Sequence, residues 1–312
     1  MVPLYLYDNC SLYAILSDSA ALIYRYNKFI NLFYRKFPSK TAEYDGRIIV
    51  DFLQIGVLAL NKPMIQMEGI VKQFGSITAL DNMKFHAYGG EITAIVGDNG
   101  SGKSTLIQLL TGCLKPDQGV IQIKDRVFHS LTVKEAMNQG ITAVYQNLAL
   151  DNCKDCAGNL FLGRELLRFG IFLDYGAMYR ETEKLLGQLH IHIPDIRQPV
   201  EKMSGGQRQA VAIARAVYQN GDIMIFDEPT SAMGMKETER IMNLFRALKE
   251  QGKTIILISH NLFQVFDISD RICVIKNGRQ IDSFLTRDSS PEQLYQTIIE
   301  KEDQTDGEKM DE

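Results

Sequence analysis

The chain has 312 residues, 45% of them apolar, with 38 acidic against 34 basic side chains and a net charge of −4. That balance gives no electrostatic pull toward nucleic acid, and no run of eighteen apolar residues marks a spanning helix. Five cysteines, an odd number, point to reduced thiols and a cytoplasmic setting. The length leaves room for one or two domains with ample core.

Residues 1–63 carry seven of the thirteen tyrosines and no chemical motif. Val2 to Phe37 is aromatic-rich, interspersed with Arg25, Lys28, Arg35 and Lys36, and lacks the cleavage site of a secretion signal. Two readings of this extension stand open. It is an interfacial helix or partner-binding arm, or it is upstream sequence read in frame ahead of a second start-like residue, Met64. Residues 64–90 read as antiparallel strands ending in the turn Gly89-Gly90. Phe74, within them, is a candidate for a strand core residue on its sequence alone.

A core segment follows from Glu91 to about Gln146. Ile92–Val96 is short and β-prone, and Leu106, Ile107, Leu109 and Leu110 are spaced for one face of a helix. Between them runs Gly97-Asp98-Asn99-Gly100-Ser101-Gly102-Lys103-Ser104-Thr105, which fits G-x-x-x-x-G-K-[ST] in the strand–loop–helix context that gives the motif meaning. Glycines let backbone N–H groups converge on phosphate oxygens, and the helix start adds its positive end. Lys103 is placed to reach the β- and γ-phosphates, and the Ser104 hydroxyl to ligate Mg²⁺. The chain is expected to bind a nucleoside triphosphate.

From Asn147 to about Asn220 the pattern turns helical, with Tyr179 to Leu189 the clearest amphipathic stretch. Cys153-Lys154-Asp155-Cys156 has no second cysteine pair and reads as linker rather than as a zinc or redox site. Met203-Ser204-Gly205-Gly206-Gln207 precedes an Ala-rich helix: Ser204 suits an N-cap, the glycines allow close approach, and Gln207 begins the helix. An outward-facing helix start of this kind is able to receive a γ-phosphate.

Ile223-Met224-Ile225-Phe226 reads as a strand buried on both faces. Asp227 at its carboxyl end is a candidate Mg²⁺ ligand, and Glu228 a candidate base for an attacking water. Thr254 to Ile258 is another buried strand, ending at Ser259-His260, and Asn277-Gly278 is a hairpin turn. Glu300 to Glu312 reads as an acidic, solvated tail.

With the phosphate loop, Met203–Gln207 and Ile223–Thr230 in hand, the chain resembles the ATP-binding cassette (ABC) ATPases over roughly Met64 to Phe284. The resemblance implies an α/β P-loop nucleotide-binding domain, here residues 64–295. It would have a RecA-like parallel-sheet core, an antiparallel β subdomain and a helical insert at about 147–220, followed by the tail 296–312. It implies an ATPase in which Lys103, Glu228 and His260 are catalytic, His260 as a switch contacting the γ-phosphate. ATP and Mg²⁺ are then the cofactors. Gly97 to Thr105 would hold the phosphates, Phe74 would stack on adenine, and Ser204, Gly205, Gly206 and Gln207 would meet ATP bound to a second subunit. Ser104, Gln146 and Asp227 would complete the metal shell. Met203 stands where the family has Leu, a volume-conserving change. Gly234 stands where it has an Asp that bridges the subunits, which puts coupling between the two ATP sites in doubt.

Tyr145 to Leu150, Asn159 to Glu165 and Ile258 to Leu262 look like the ATP-binding subunits of bacterial monosaccharide importers. Many of those carry two cassettes, whereas this sequence has one phosphate loop and one signature. The resemblance therefore implies pairing with itself or a paralogue and docking on transmembrane permease subunits. It further implies indirect service to a solute-binding protein and a peripheral place on the cytoplasmic face of the membrane, with no nucleic-acid partner. The alternatives are an exporter, a non-transport ABC ATPase, or a regulatory cassette with weak turnover.

Overall fold

The computed structural model describes residues 63–296. The chain divides into two units, 1–59 and 60–312, and every described residue belongs to the second. The expectations for Val2 to Phe37 and for the tail from Glu300 lie outside the described residues.

Four strands form an antiparallel sheet: β1 (Pro63–Phe74), β2 (Ile77–Tyr88), β4 (Gln118–Ile123) and β5 (Arg126–Phe128), in the order β2-β1-β4-β5. The antiparallel part is thus larger than the sequence suggested, because residues 118–128 return to it instead of staying in the parallel core. Ile121 and Ile123 point inward beside Met67 and Ile65. This one-sided burial is what an antiparallel sheet with one wet face requires.

A six-stranded sheet holds β3 (Ile92–Val96), β6 (Ile141–Val144), β9 (Ile223–Asp227), β10 (Thr254–Ile258), β11 (Arg271–Lys276) and β12 (Arg279–Leu285), in the order β12-β11-β3-β10-β9-β6. All neighbours are parallel except the edge strand β12. Every residue of β3, β9 and β10 is buried, which is why these strands read as unbroken apolar runs. Asn277 and Gly278 join β11 to β12 with φ of 47° and 75°, as the hairpin expectation required.

The helices are α1 (Lys103–Leu110), α2 (Val133–Asn138), α3 (Cys156–Leu160), α4 (Tyr175–Gln188), α5 (Gly205–Gln219), α6 (Met235–Glu250) and α7 (Leu262–Ile268). Helix α1 lies between the two sheets. Its Leu106, Ile107, Leu109 and Leu110 share a core with Ile65, Leu80 and Phe85 on one side and Ile95, Ile225 and Ile256 on the other. On the far face of the parallel sheet α5 and α6 cover β9 and β10, and Phe245 stacks on Phe226 with ring centroids 4.3 Å apart.

The insert is helical but not wholly so. A small hairpin of β7 (Leu167–Arg168) and β8 (Phe172–Leu173) interrupts it. Phe169 and Gly170 turn that hairpin with φ of 54° and 75°, a conformation a helix cannot contain. Helix α4 contains most of the Tyr179–Leu189 amphipathic stretch and begins upstream of it, at Tyr175, because the Asp174 carboxylate accepts from the Ala177 N–H and fixes the start. Cys156 is the first residue of α3 and packs in the insert's own core, its thiol pushed up to about 12 by burial.

Phe245 is fully buried and stacked, so Phe245→Ala removes a large side chain from a filled site. We expect a loss of about 3–5 kcal/mol in urea unfolding. The same change at Phe169, which is 83% exposed, should leave the midpoint near its parent value.

Candidate functional site

Three neighbouring strands of the parallel sheet bring the sequence motifs to one edge. β3 leads into Gly97, β10 leads into Ser259-His260, and β9, beside β10, ends at Asp227 and leads into Glu228. Carboxyl ends of such strands are where open α/β sheets place ligands. The sheet order therefore gathers residues that lie up to 163 positions apart, Gly97 to His260.

The loop after β3 closes tightly on its surroundings. Gly97 has φ of 152°, and a Cβ there would sit 2.0 Å from the Ile275 carbonyl oxygen. Gly102 has φ of 105°, and its Cβ would meet the Ala79 carbonyl and the Leu80 side chain at 2.7 Å. Only glycine fits either position. Gly102 is the N-cap of α1 and offers no side-chain bond to the helix start, so the first-turn N–H groups face the loop.

Lys103 folds over that loop, donating to the Gly97 and Asp98 carbonyls at 2.7 Å each. Burial lowers its pKa, while the carboxylates of Glu228, Asp98 and Asp227 oppose the shift. Asp227 is 6% exposed, and its pKa is raised, first by burial and then by the Glu228 charge. The Gln146 backbone N–H and Lys103 push the other way. One ammonium thus faces a crowded pair of carboxylates.

Glu228 sits in a left-handed conformation, φ 52°, uncommon for a non-glycine residue. Its N–H donates to the Ile258 carbonyl at 3.0 Å, and its Oε2 lies 2.8 Å from Nδ1 of His260. His260 is 77% exposed and Glu228 only 15%, so the imidazole covers the carboxylate from the solvent side. The sequence did not single out Gln209, which pins this corner. Gln209 is 4% exposed; its Nε2 donates to the Glu228 carbonyl at 2.7 Å, and its Oε1 accepts from the Ala232 N–H at 3.2 Å. The legible signal was a lone amide on a face of α5 otherwise made of Ala, Val and Ile.

Ser204 is the N-cap of α5, and Gln207 is its third residue rather than its first. The Ser204 hydroxyl accepts from the Gln207 N–H at 3.2 Å, and the Gln207 amide oxygen accepts from the Ser204 N–H at 2.9 Å. This reciprocal cap leaves Ser204 and Gly205 at the exposed start of a 15-residue helix. These residues lie on α5 and not in the Lys103 loop. Phe74, at the last β1–β2 pair before the turn, is 46% exposed, with the Lys72 ammonium 5.5 Å from its ring centre. It is not a core residue: it stands at the end of the β1–β2 hairpin, where the turn at Gly75-Ser76 leaves the ring partly open to solvent. Gln146, after β6, is exposed. The segment following it is tied to α5: Arg215 donates to the Leu148 and Ala149 carbonyls at 2.8 and 2.9 Å, and Arg208 to Asn152 at 3.2 Å.

Among the described residues no cluster of three or more His, Cys, Asp or Glu could hold a metal ion. Asp227, buried at the end of β9, and the Ser104 hydroxyl, in the first turn of α1, are oxygen donors of the kind Mg²⁺ takes.

The profile of the ABC transporter family matches residues 80–231. The fructose import ATP-binding protein of Rhizobium meliloti is 42% identical over 227 residues, covering 70% of this chain and 87% of that protein. The chain belongs to the ABC transporter family. The cassette is also 39% identical to the xylose/arabinose import ATP-binding protein of Sulfolobus acidocaldarius, over 75% of this chain and 93% of that protein. Against the ribose import ATP-binding protein of Caldanaerobacter subterraneus it is 34% identical and spans only 48% of the relative's length. Among solved structures, a nucleotide-free ATP-binding cassette of an ABC transporter aligns with TM-score 0.63 at 28% identity, over 72% and 92% of the two chains. A dimeric post-hydrolysis cassette bound to ADP and Pi aligns with TM-score 0.64 at 26% identity, over 72% and 99%. The cassette is an ATPase of the P-loop ABC fold.

The departure at Gly234 has a visible local result. Gly234 is the N-cap of α6 without a side-chain bond, and the Glu237 carboxylate folds back into the space a side chain at 234 would take.

Asp227 generates a prediction. Its folded pKa is raised, so at neutral pH the ionised carboxylate costs stability, a cost that disappears below the unfolded pKa. Asp227→Asn should therefore raise the thermal midpoint of the nucleotide-free protein at pH 7 and not at pH 3. It should also abolish Mg²⁺-dependent ATP turnover. Calorimetry at the two pH values and a phosphate-release assay check both parts.

Proposed function

We propose that this chain is the ATP-hydrolysing subunit of an importer whose solute is a monosaccharide. The carrying observation is the convergence of Lys103, Asp227, Glu228 and His260 at one sheet edge. High identity to fructose and xylose/arabinose import ATP-binding proteins supports the solute class. In this reading residues 64–295 are the working domain, with the insert at 147–220 as its permease-facing part.

The loop from Gly97 to Thr105 holds the triphosphate through backbone N–H groups, and Lys103 exchanges its loop carbonyls for the β- and γ-phosphates. Phosphate oxygens are stronger acceptors for an ammonium than neutral carbonyls, so the exchange favours the bound state. Mg²⁺, held by Ser104, Asp227 and Gln146, would neutralise charge developing on the phosphates. Glu228 accepts hydrogen bonding from the attacking water and orients it in line. Its bond to His260 keeps the carboxylate from turning away, and the exposed imidazole reaches toward the γ-phosphate. The left-handed corner at Glu228, braced by Gln209, fixes that base against the end of β9.

A second copy or a paralogue supplies Ser204, Gly205, Gly206 and Gln207, the uncovered helix start meeting the γ-phosphate across the interface. ATP then joins the two subunits, and hydrolysis releases them. Residues 147–155, tied to α5 by Arg215 and Arg208, form the surface for a cytoplasmic helix of the permease. A solute-binding protein delivers the sugar outside, so the sugar never meets this chain. The place of work is the cytoplasmic face of the membrane. None of the described helices is long and apolar enough to cross it.

Glu228→Gln keeps the shape of the base and removes its charge. ATP turnover should fall by about 10²-fold or more, nucleotide binding should persist, and size-exclusion with Mg-ATP should show a trapped dimer. Parent-like turnover in this variant would remove Glu228 from the chemistry.

A further inference from the structure

The turn between β11 and β12 belongs to neither catalytic strand, yet it touches the phosphate loop directly. The Gly278 N–H donates to the Ser101 carbonyl at 3.0 Å, and the Gly278 carbonyl accepts from the Asp81 N–H at 3.0 Å. The next residue, Arg279, donates to Asp81 Oδ2 through Nε at 2.9 Å and Nη2 at 2.5 Å. Asp81 lies on β2, four residues past Ile77, and Ile77 pairs with Phe74 at the end of the β1–β2 hairpin. An unbroken set of hydrogen bonds therefore runs from the phosphate loop on the parallel sheet, through Gly278, to β2 on the antiparallel sheet, the strand whose first residue, Ile77, pairs with Phe74 of β1.

The contacts beside this strap are equally close. The Ala79 carbonyl and Leu80 side chain stand against Gly102, and the Ile275 carbonyl stands against Gly97. Both ends of the loop thus rest on the two segments that Asp81 and Arg279 fasten together. We infer that Asp81 and Arg279 are positioning residues that set the Phe74 ring at a fixed offset from the phosphate loop. They thereby determine how much the base adds to nucleotide affinity. This rests on the reading of Phe74 as the adenine platform.

The magnitude makes the idea testable. Arg279 and Asp81 are 64% and 42% exposed, so the ion pair contributes little to stability and its removal leaves the fold intact. The backbone bonds through Gly278 also remain. What changes is the relative placement of the two parts of one ligand site, to which affinity is sensitive when both parts must be engaged together.

The test is titration calorimetry on the full chain with two probes, Mg-ATP and Mg-tripolyphosphate, which carries the phosphates without a base. Arg279→Gln and the isosteric Asp81→Asn should each weaken ATP binding by about three- to fivefold, the order an exposed pair supplies. Tripolyphosphate binding should stay at the parent value, and Arg279→Lys should recover part of the loss. Phe74→Ala is the control. If it leaves ATP affinity unchanged, the adenine platform is wrong and the strap falls with it. If it weakens ATP while Arg279→Gln and Asp81→Asn do not, the strap alone is overturned. Equal weakening of both probes would also overturn it, since that reports general loosening of the loop.

Discussion

The structure depends on backbone packed against backbone under the phosphate loop. Gly97 and Gly102 bring the chain to within contact of the Ile275 and Ala79 carbonyls, distances that no side chain permits. This closeness holds β2, β3 and the β11–β12 turn at a common point, and it aims the start of α1 into the loop. The apolar stripe of α1 then has both sheets to fill against, so the two layers and the site share a single core. Loosening the loop would cost packing on both sides of the helix as well as phosphate binding.

The electrostatics of the edge follow from that burial. Asp227 and Glu228 are adjacent in sequence and both withdrawn from water, and the protein does not neutralise them fully. Lys103 is near, but its ammonium is committed to loop carbonyls. In the proposed reading, that leaves the carboxylate pair to be met by the positive charge that would arrive with the nucleotide. A site optimised for its own stability would have paired or removed one of these acids. Retaining them marks the edge as a place of chemistry.

Much of this was legible in the residues. β3, β9 and β10 announced themselves as short apolar runs because they are buried on both faces. The Gly97–Thr105 pattern could be read because phosphate binding restricts side chains at fixed intervals. Other parts could not be read for identifiable reasons. β4 and β5 are short and follow a helix, so their membership in the first sheet depends on the pairing of β4 with β1, a contact across about fifty residues, with β5 joined only through β4. Gln209 looked like any polar residue in an Ala-rich helix, since its partner is the backbone carbonyl of Glu228, nineteen residues on. The exposure of Phe74 was undecidable from pattern, because an aromatic at a strand end suits a core and a platform equally.

The bonds from Arg215 to Leu148 and Ala149 have a mechanical consequence. The stretch after β6 would ordinarily be a slack connector, able to absorb a displacement by changing its own dihedrals. Here the Arg215 guanidinium holds two consecutive carbonyls of that stretch, and the fully buried Asn159 holds Asp151 on both its N–H and its carbonyl. With its carbonyls held this way, a force applied at 147–152 would be handed to α5 along its length and would emerge at Ser204, at the start of the same helix. In the proposed reading the segment would serve as a crank rather than a hinge.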